Sequence, residues 1–385
     1  MKKILFVSAR FPWPLLTGDA LRAYNQLKQL SKNNEIDVFS VESPSIFRGD
    51  IDQYVNTSFS GNITKIRKVH NIISNNKATA LQCAMYYDPK SWQELRKLVI
   101  TNKYDIIVFQ LVRLEYLIKK TIDLRNQQNL KAKIYCDFID ALSLNMKNRA
   151  ETESIWMKKI CYSESKKLSI VENEIYESVD YAMIISERDA NYIGKGKFDI
   201  VPNGVSIPKI SMQKKQKTGI INLAFWGNMS YYPNVKAALY LADLYNNLDK
   251  SKYKLHIIGA QPCKKIQNLD SHEGIIIHGY VDDLNSLLVS MDLAVFPIFD
   301  GSGLQNKVLE AFSLQLPVIT TDIVLDSLPK LRKHAMSAND KDEFIKCIQL
   351  FDSNENIMDF QDGNALQVLR EHYDWGVVNN VIGSV

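Results

Sequence analysis

Phe296-Pro297-Ile298-Phe299-Asp300-Gly301-Ser302-Gly303-Leu304-Gln305-Asn306-Lys307-Val308-Leu309-Glu310-Ala311-Phe312 is the stretch whose reading decides the fold class. An apolar run, residues 293–296, ends at a proline, a glycine loop follows, and a helical pattern starts at Gln305. Strand, loop and helix in that order form the repeating unit of a parallel α/β sheet, and they leave free backbone N–H groups at a helix start, where an anion binds. Lys307 in the first turn adds a full positive charge. Asn306, Lys307 and Glu310 share one helical face, an arrangement suited to a diphosphate at the helix start and a ribose diol beside Glu310. The same spacing also fits an ordinary surface helix in which Lys307 and Glu310 simply pair.

Outward from this segment the same grammar repeats in two halves. Strands are expected at 3–8, 35–41, 105–110, 133–136 and 181–186, then at 221–226, 255–258, 275–278, 293–296 and 318–320. Helical patterns fall at 19–31, 91–101, 114–127 and 151–179, then at 234–249, 282–290, 305–314 and 342–350. Val201-Pro202-Asn203-Gly204-Val205 reads as a turn, and the polar stretch after it has no apolar period. The expected organisation is a Rossmann-like domain over 1–205, a linker at 206–219 and a second Rossmann-like domain over 220–365. Two such sheets facing each other would bind a ligand in the cleft at the carboxyl ends of their strands.

Bulk properties narrow the function. A chain of 385 residues exceeds one ordinary core, and 46% hydrophobic with 23% charged residues is a globular composition. The net charge of +4 is no nucleic-acid footprint. The apolar run 4–7 is too short for a signal peptide, and no stretch approaches the ~20 apolar residues of a membrane span, so a cytoplasmic protein is expected. Five scattered cysteines without a CxxC pair fit reduced thiols rather than zinc ligands. His256, His272 and His278 are expected to be packing or surface residues. The basic pairs at 158–159, 166–167, 214–215 and 264–265 read as solvated faces, with contact to an anionic membrane as the alternative. Trp13 and Trp92 are likewise expected in packing before lipid.

The 296–312 segment resembles the donor-binding region of family 4 glycosyltransferases, in a branch that includes exopolysaccharide-associated sugar transferases. The resemblance implies a GT-B fold, and it implies that Gly303, Leu304, Gln305, Asn306, Lys307 and Glu310 hold the nucleotide-sugar. Many members carry two glutamates eight positions apart; Glu310 matches the second, which contacts the ribose, while Ser302 stands at the first. Other matches follow in order along the chain. Gly18, in the loop 10–22, matches the glycine loop of the acceptor side. Asp137 and Asp140 stand where relatives place residues near the transferred sugar, and with Lys307 they are the expected catalytic set; Asp140 also fits a helix N-cap. Gly227 and Asn228 match the first loop of the nucleotide domain, although Asn228 replaces the usual arginine. Val281 matches a loop near the base, and the final helix, about 366–385, is expected to cross back to the first domain.

By this resemblance the chain moves a sugar, with retention, from a UDP- or GDP-linked donor to a hydroxyl of a glycan or lipid-linked saccharide. No further cofactor, no metal and no nucleic acid is expected, and loose contact with the inner face of the cell membrane is. A catalytically silent subunit of another transferase and a nucleotide-sugar epimerase are the alternatives.

Overall fold

The computed structural model describes residues 1–15, 17–43, 49–74, 79–194, 198–208, 219–299, 305–353 and 363–379. The chain divides into two compact units, one of Met1–Asn203 together with the chain from Val378, the other of Gly204–Val377.

The first unit is built on seven strands: β1 (Lys3–Ser8), β2 (Glu35–Ser40), β3 (Thr57–Ser60), β4 (Ile106–Gln110), β5 (Lys133–Asp137), β6 (Tyr181–Ile184) and β7 (Asp199–Ile200). They lie in the order β3-β2-β1-β4-β5-β6-β7, every pair parallel. Helices cover both faces of such a sheet, which is why its central strands are apolar throughout rather than alternating. The alternation survives as two cores: Leu5, Val7, Phe39, Ile107 and Phe109 pack on one face, and Ile4, Phe6, Val38, Ile106 and Val108 on the other.

The second unit repeats the plan with β8 (Ile221–Trp226), β9 (Tyr253–Ile258), β10 (Ile275–Gly279), β11 (Leu293–Phe296), β12 (Val318–Thr320) and β13 (Met336–Ser337). Their order is β10-β9-β8-β11-β12-β13, again all parallel. The winding direction reverses between β1 and β4 and between β8 and β11. Helices diverge from the sheet at such a point and leave a crevice at the strands' carboxyl ends.

Several expectations are corrected. The stretch 151–179 is two helices, Leu142–Thr152 and Ile155–Ser178, broken where Glu153 and Ser154 turn extended. They pack on each other, with Ser165 Oγ donating to the Ser143 carbonyl at 2.8 Å. β3, β7 and β13 are too short for periodicity to register, and the helix Lys65–Ser74 was not anticipated. The helix Gly363–His372 packs on Asn306–Ser313 within the second unit, and the chain from Val378 groups with the first. The turn at 201–205 is held from the C-terminal side: Val205 N–H donates to the Tyr373 carbonyl at 2.7 Å. The middle of the expected linker, 209–218, and the chain from 380 onward lie outside the described residues. Among the described residues no helix is long and apolar enough to cross a membrane.

Candidate active site

The switch point of the second sheet gathers the charged groups. β8 ends at Trp226, and Gly227 follows with φ 149°, its N–H donating to the Ile258 carbonyl at 3.0 Å. A Cβ on Gly227 would lie 2.7 Å from Asn234 Nδ2 and 3.2 Å from Lys307 Nζ. Only glycine leaves these two side chains their place. Gly259, at the end of β9, has φ 151°, and a Cβ there would sit 1.7 Å from the Gly227 carbonyl oxygen.

Asn234 is buried in the first turn of the helix Tyr232–Tyr245, which a proline opens. Its Nδ2 donates to the Asn228 carbonyl at 3.0 Å, and its Oδ1 accepts from Lys307 Nζ at 2.5 Å. The ammonium also lies 4.9 Å from the centre of the Phe225 ring. Desolvation pushes the Lys307 pKa down to about 8, with Glu310 acting in the opposite sense. One helical turn on, Glu310 accepts from Trp226 Nε1 at 2.8 Å. Burial raises its pKa; the indole hydrogen bond and Lys307 oppose the shift. Lys307 and Glu310 thus turn to different partners rather than pairing along the helix.

Gln305 occupies the cap position of Asn306–Ser313 without a side-chain cap bond, and Asn306 opens the helix. Asn228 is exposed; its Oδ1 accepts from Ser230 N–H at 2.9 Å and shapes the loop after Gly227. Val281 is half-buried beyond β10, whose last residue, Gly279, accepts from Gly259 N–H at 2.8 Å. Gly303 and Leu304, with Ser302, lie outside the described residues.

In the first unit the two aspartates diverge. Asp137 ends β5 with no exposure, and both carboxylate oxygens are engaged by protein. Arg22 Nε donates to Oδ2 at 2.7 Å, Arg22 Nη2 to Oδ1 at 3.1 Å and Gln26 Nε2 to Oδ2 at 2.7 Å. Arg22 Nη1 continues to the Pro202 carbonyl at 3.2 Å and Asn203 Oδ1 at 3.0 Å. Asp137 is therefore an anchor joining the helix Gly18–Leu30, β5 and the 202–203 turn, a different place from the sugar contact expected of it.

Asp140 is half-buried after Ile139, whose φ is 63°, and accepts from Asn145 Nδ2 at 2.8 Å. Desolvation raises its pKa to about 6; the Asp189 charge adds to the rise, and Asn145 and Arg113 oppose it. It does not cap the following helix. Glu172 Oε1 accepts from Ser143 N–H at 3.0 Å there and Asp189 Oδ1 from Ala141 N–H at 3.4 Å. Gly18 opens its helix exposed, and Gln110 Nε2 donates to the Asp19 carbonyl at 3.0 Å beside it.

Trp226, Asn234 and Gly259 were missed as site residues. A signal for Gly259 was present: β8 and β9 are each followed by glycine and β10 ends in one, at 227, 259 and 279. Among the described residues no three His, Cys, Asp or Glu side chains gather to hold a metal.

Known proteins share this architecture. Residues 221–351 match the family model described as "Glycosyl transferases group 1". Sucrose-phosphate synthase from Thermosynechococcus elongatus superposes with a TM-score of 0.73 at 12% identity, over 100% of this chain and 98% of the other. Anabaena HepE, solved with UDP and glucose, gives 0.68 at 12% identity over 100% and 99%. TarM gives 0.69 at 12% identity over 100% and 98%. No curated protein matches the sequence. Two parallel α/β units with this strand order define a GT-B fold. The match to group 1 glycosyltransferases lies in the second unit of a chain whose fold is GT-B.

Proposed function

We propose that the chain transfers a sugar, with retention, from a UDP-linked donor to a hydroxyl of a glycan or glycolipid acceptor in bacterial surface polysaccharide synthesis. The observation that carries this reading is the Lys307 ammonium, held by a neutral amide at the switch point of the second sheet, one helical turn from Glu310. When the sugar's anomeric carbon leaves the diphosphate, negative charge grows on the phosphate oxygens. A preorganised ammonium and a helix N-terminus neutralise it without rearranging solvent. Trp226 occupies one Glu310 oxygen and leaves the other to a ribose diol. UDP as the nucleotide is supported by the HepE complexes with UDP and with UDP-glucose. Retention, the acceptor class and the role of Asp140 at a sugar or acceptor hydroxyl rest on the family resemblance.

Thermal unfolding against UDP-, GDP-, TDP- and ADP-sugars tests the reading, with Glu310→Ala and Lys307→Ala alongside. A donor at about a hundred times its dissociation constant stabilises the fold by about 2.7 kcal/mol. A shift with UDP-sugars that both variants lose is expected. A shift with another nucleotide class corrects the donor. No shift with any donor overturns the reading and favours the silent subunit, which Ser302 in place of a glutamate would suit.

A further inference from the structure

The first unit carries a helix turned inside out. Lys65–Ser74 exposes Ile66, Val69 and Ile73 at 82%, 55% and 79%, while its one fully buried residue is the polar Asn71, whose Nδ2 donates to the Tyr87 carbonyl at 2.8 Å. At ~100° per residue the three apolar side chains form one stripe roughly opposite Asn71. Lys65, Arg67 and His70 flank that stripe, and the helix contains no acidic residue.

A second patch of exposed apolar and basic side chains lies on the same unit. The helix Ile155–Ser178 begins with Ile155 and Trp156 exposed at 71% and 76%, followed by the exposed Ile160. Lys159 sits over the Trp156 ring at 5.4 Å, and Lys166 is exposed further along. The short helix Leu81–Ala84 joins the two. It packs against Lys65–Ser74, and its Leu81 and Gln82 N–H groups donate to Glu164 of the long helix at 2.8 and 2.9 Å.

Apolar side chains turned to solvent between basic ones are costly in water and suit a surface with buried acyl chains under anionic headgroups. We propose that Lys65–Ser74 and the first turns of Ile155–Ser178 form a docking surface for an anionic lipid bilayer. The stripe seats at the acyl boundary, and Lys65, Arg67 and Lys159 meet the phosphates. Charge complementarity selects lipid here: a protein partner would need an apolar groove rimmed with carboxylates to match both helices. The surface belongs to the first unit and the donor-site residues to the second, so the inference stands whether or not the transfer reading does.

Flotation of the purified full chain with vesicles tests it without any activity measurement. Vesicles of phosphatidylcholine alone are compared with vesicles containing about one-third phosphatidylglycerol. The wild type is expected to float with the anionic vesicles and to be released by salt. Ile66→Asp/Ile73→Asp, which alters only exposed positions, lowers the partition coefficient at least about tenfold. Lys65→Glu/Arg67→Glu keeps the apolar stripe and also lowers it about tenfold. Trp156→Ser weakens binding again. Equal flotation of wild type and both double variants overturns the assignment, as does equal binding to neutral vesicles. A wild type that stays off all vesicles but dimerises, with the Ile66→Asp/Ile73→Asp variant monomeric, also overturns it and makes the face a contact between copies.

Discussion

Lys307 Nζ lies 2.5 Å from Asn234 Oδ1, so that a neutral amide stands where a buried lysine would ordinarily meet a carboxylate. The ammonium is oriented but its charge is not cancelled, which is the condition for receiving an anion. With a pKa of about 8, set mainly by desolvation, the side chain is largely protonated at neutral pH. A bound diphosphate raises that pKa, so donor binding takes up protons near it.

Donor affinity is therefore expected to be level below about pH 7 and to fall by up to about tenfold per pH unit above the Lys307 pKa. Titration calorimetry across that range checks this. Asn234→Asp supplies the missing carboxylate; it should move the break to higher pH and weaken donor binding about tenfold or more by competing for the charge. A pH-independent affinity in the wild type removes Lys307 from the diphosphate.

Trp226 Nε1 fixes one Glu310 oxygen, and the other is assigned to the ribose. Discrimination between UDP and its 2′-deoxy analogue should then be lost in Glu310→Ala and reduced in Trp226→Phe, the latter by about tenfold or more, one hydrogen bond to a charged group. Competition binding with the two nucleotides measures both. Unchanged discrimination in Glu310→Ala places the ribose elsewhere.

Arg22 and Asp137 form a fully buried pair. Asp137→Ala leaves the guanidinium without its counter-charge and should destabilise the first unit by about 3–5 kcal/mol. Arg22→Met/Asp137→Leu, which removes both charges, should recover much of that loss. Denaturant melts followed by amide exchange in β5 read the effect in this unit alone. An Asp137→Ala protein of full stability that loses only turnover would restore Asp137 to the sugar.

His256 is buried between Asn222 and His278, its Nδ1 2.9 Å from His278 Nε2 and its Nε2 3.1 Å from Asn222 Oδ1. Desolvation, then the His278 and Lys254 charges, lowers its pKa to about 4. The unfolded chain protonates this ring near pH 6.5, where the folded chain does not. Stability from His256 is thus present above about pH 6.5 and lost as pH falls toward 4, at no more than about 1.4 kcal/mol per pH unit. His256→Gln should flatten that slope in melts between about pH 4.5 and pH 7.

The second sheet was largely readable because its central strands are buried on both faces; 221–226, 293–296 and 318–320 were placed to the residue. Local chemistry also exposed Lys307 and Glu310, since helical spacing and a preceding loop are written in consecutive residues. Asp137 misled for a physical reason. A carboxylate at a strand end looks the same whether it faces a ligand or an arginine 115 positions earlier, and only tertiary packing brings Arg22 to it. Asn234 escaped notice because its partners, Asn228 and Lys307, come from two different segments. The Lys65–Ser74 helix carries the helical signal in Ile66, Val69 and Ile73, at i, i+3 and i+7; what its sequence does not carry is the direction in which that stripe faces.

The contact between Gly259 and the Gly227 carbonyl bears on how such a chain varies over generations. An oversized side chain in a core is often accommodated when a neighbour shrinks, because both members of the clash can change. Here the obstacle to any Cβ at 259 is a main-chain oxygen, which no substitution at 227 removes. In a saturation library of this chain, position 259 should thus return glycine in every functional clone. Positions 234 and 307, which meet through side chains, should change together or stay together.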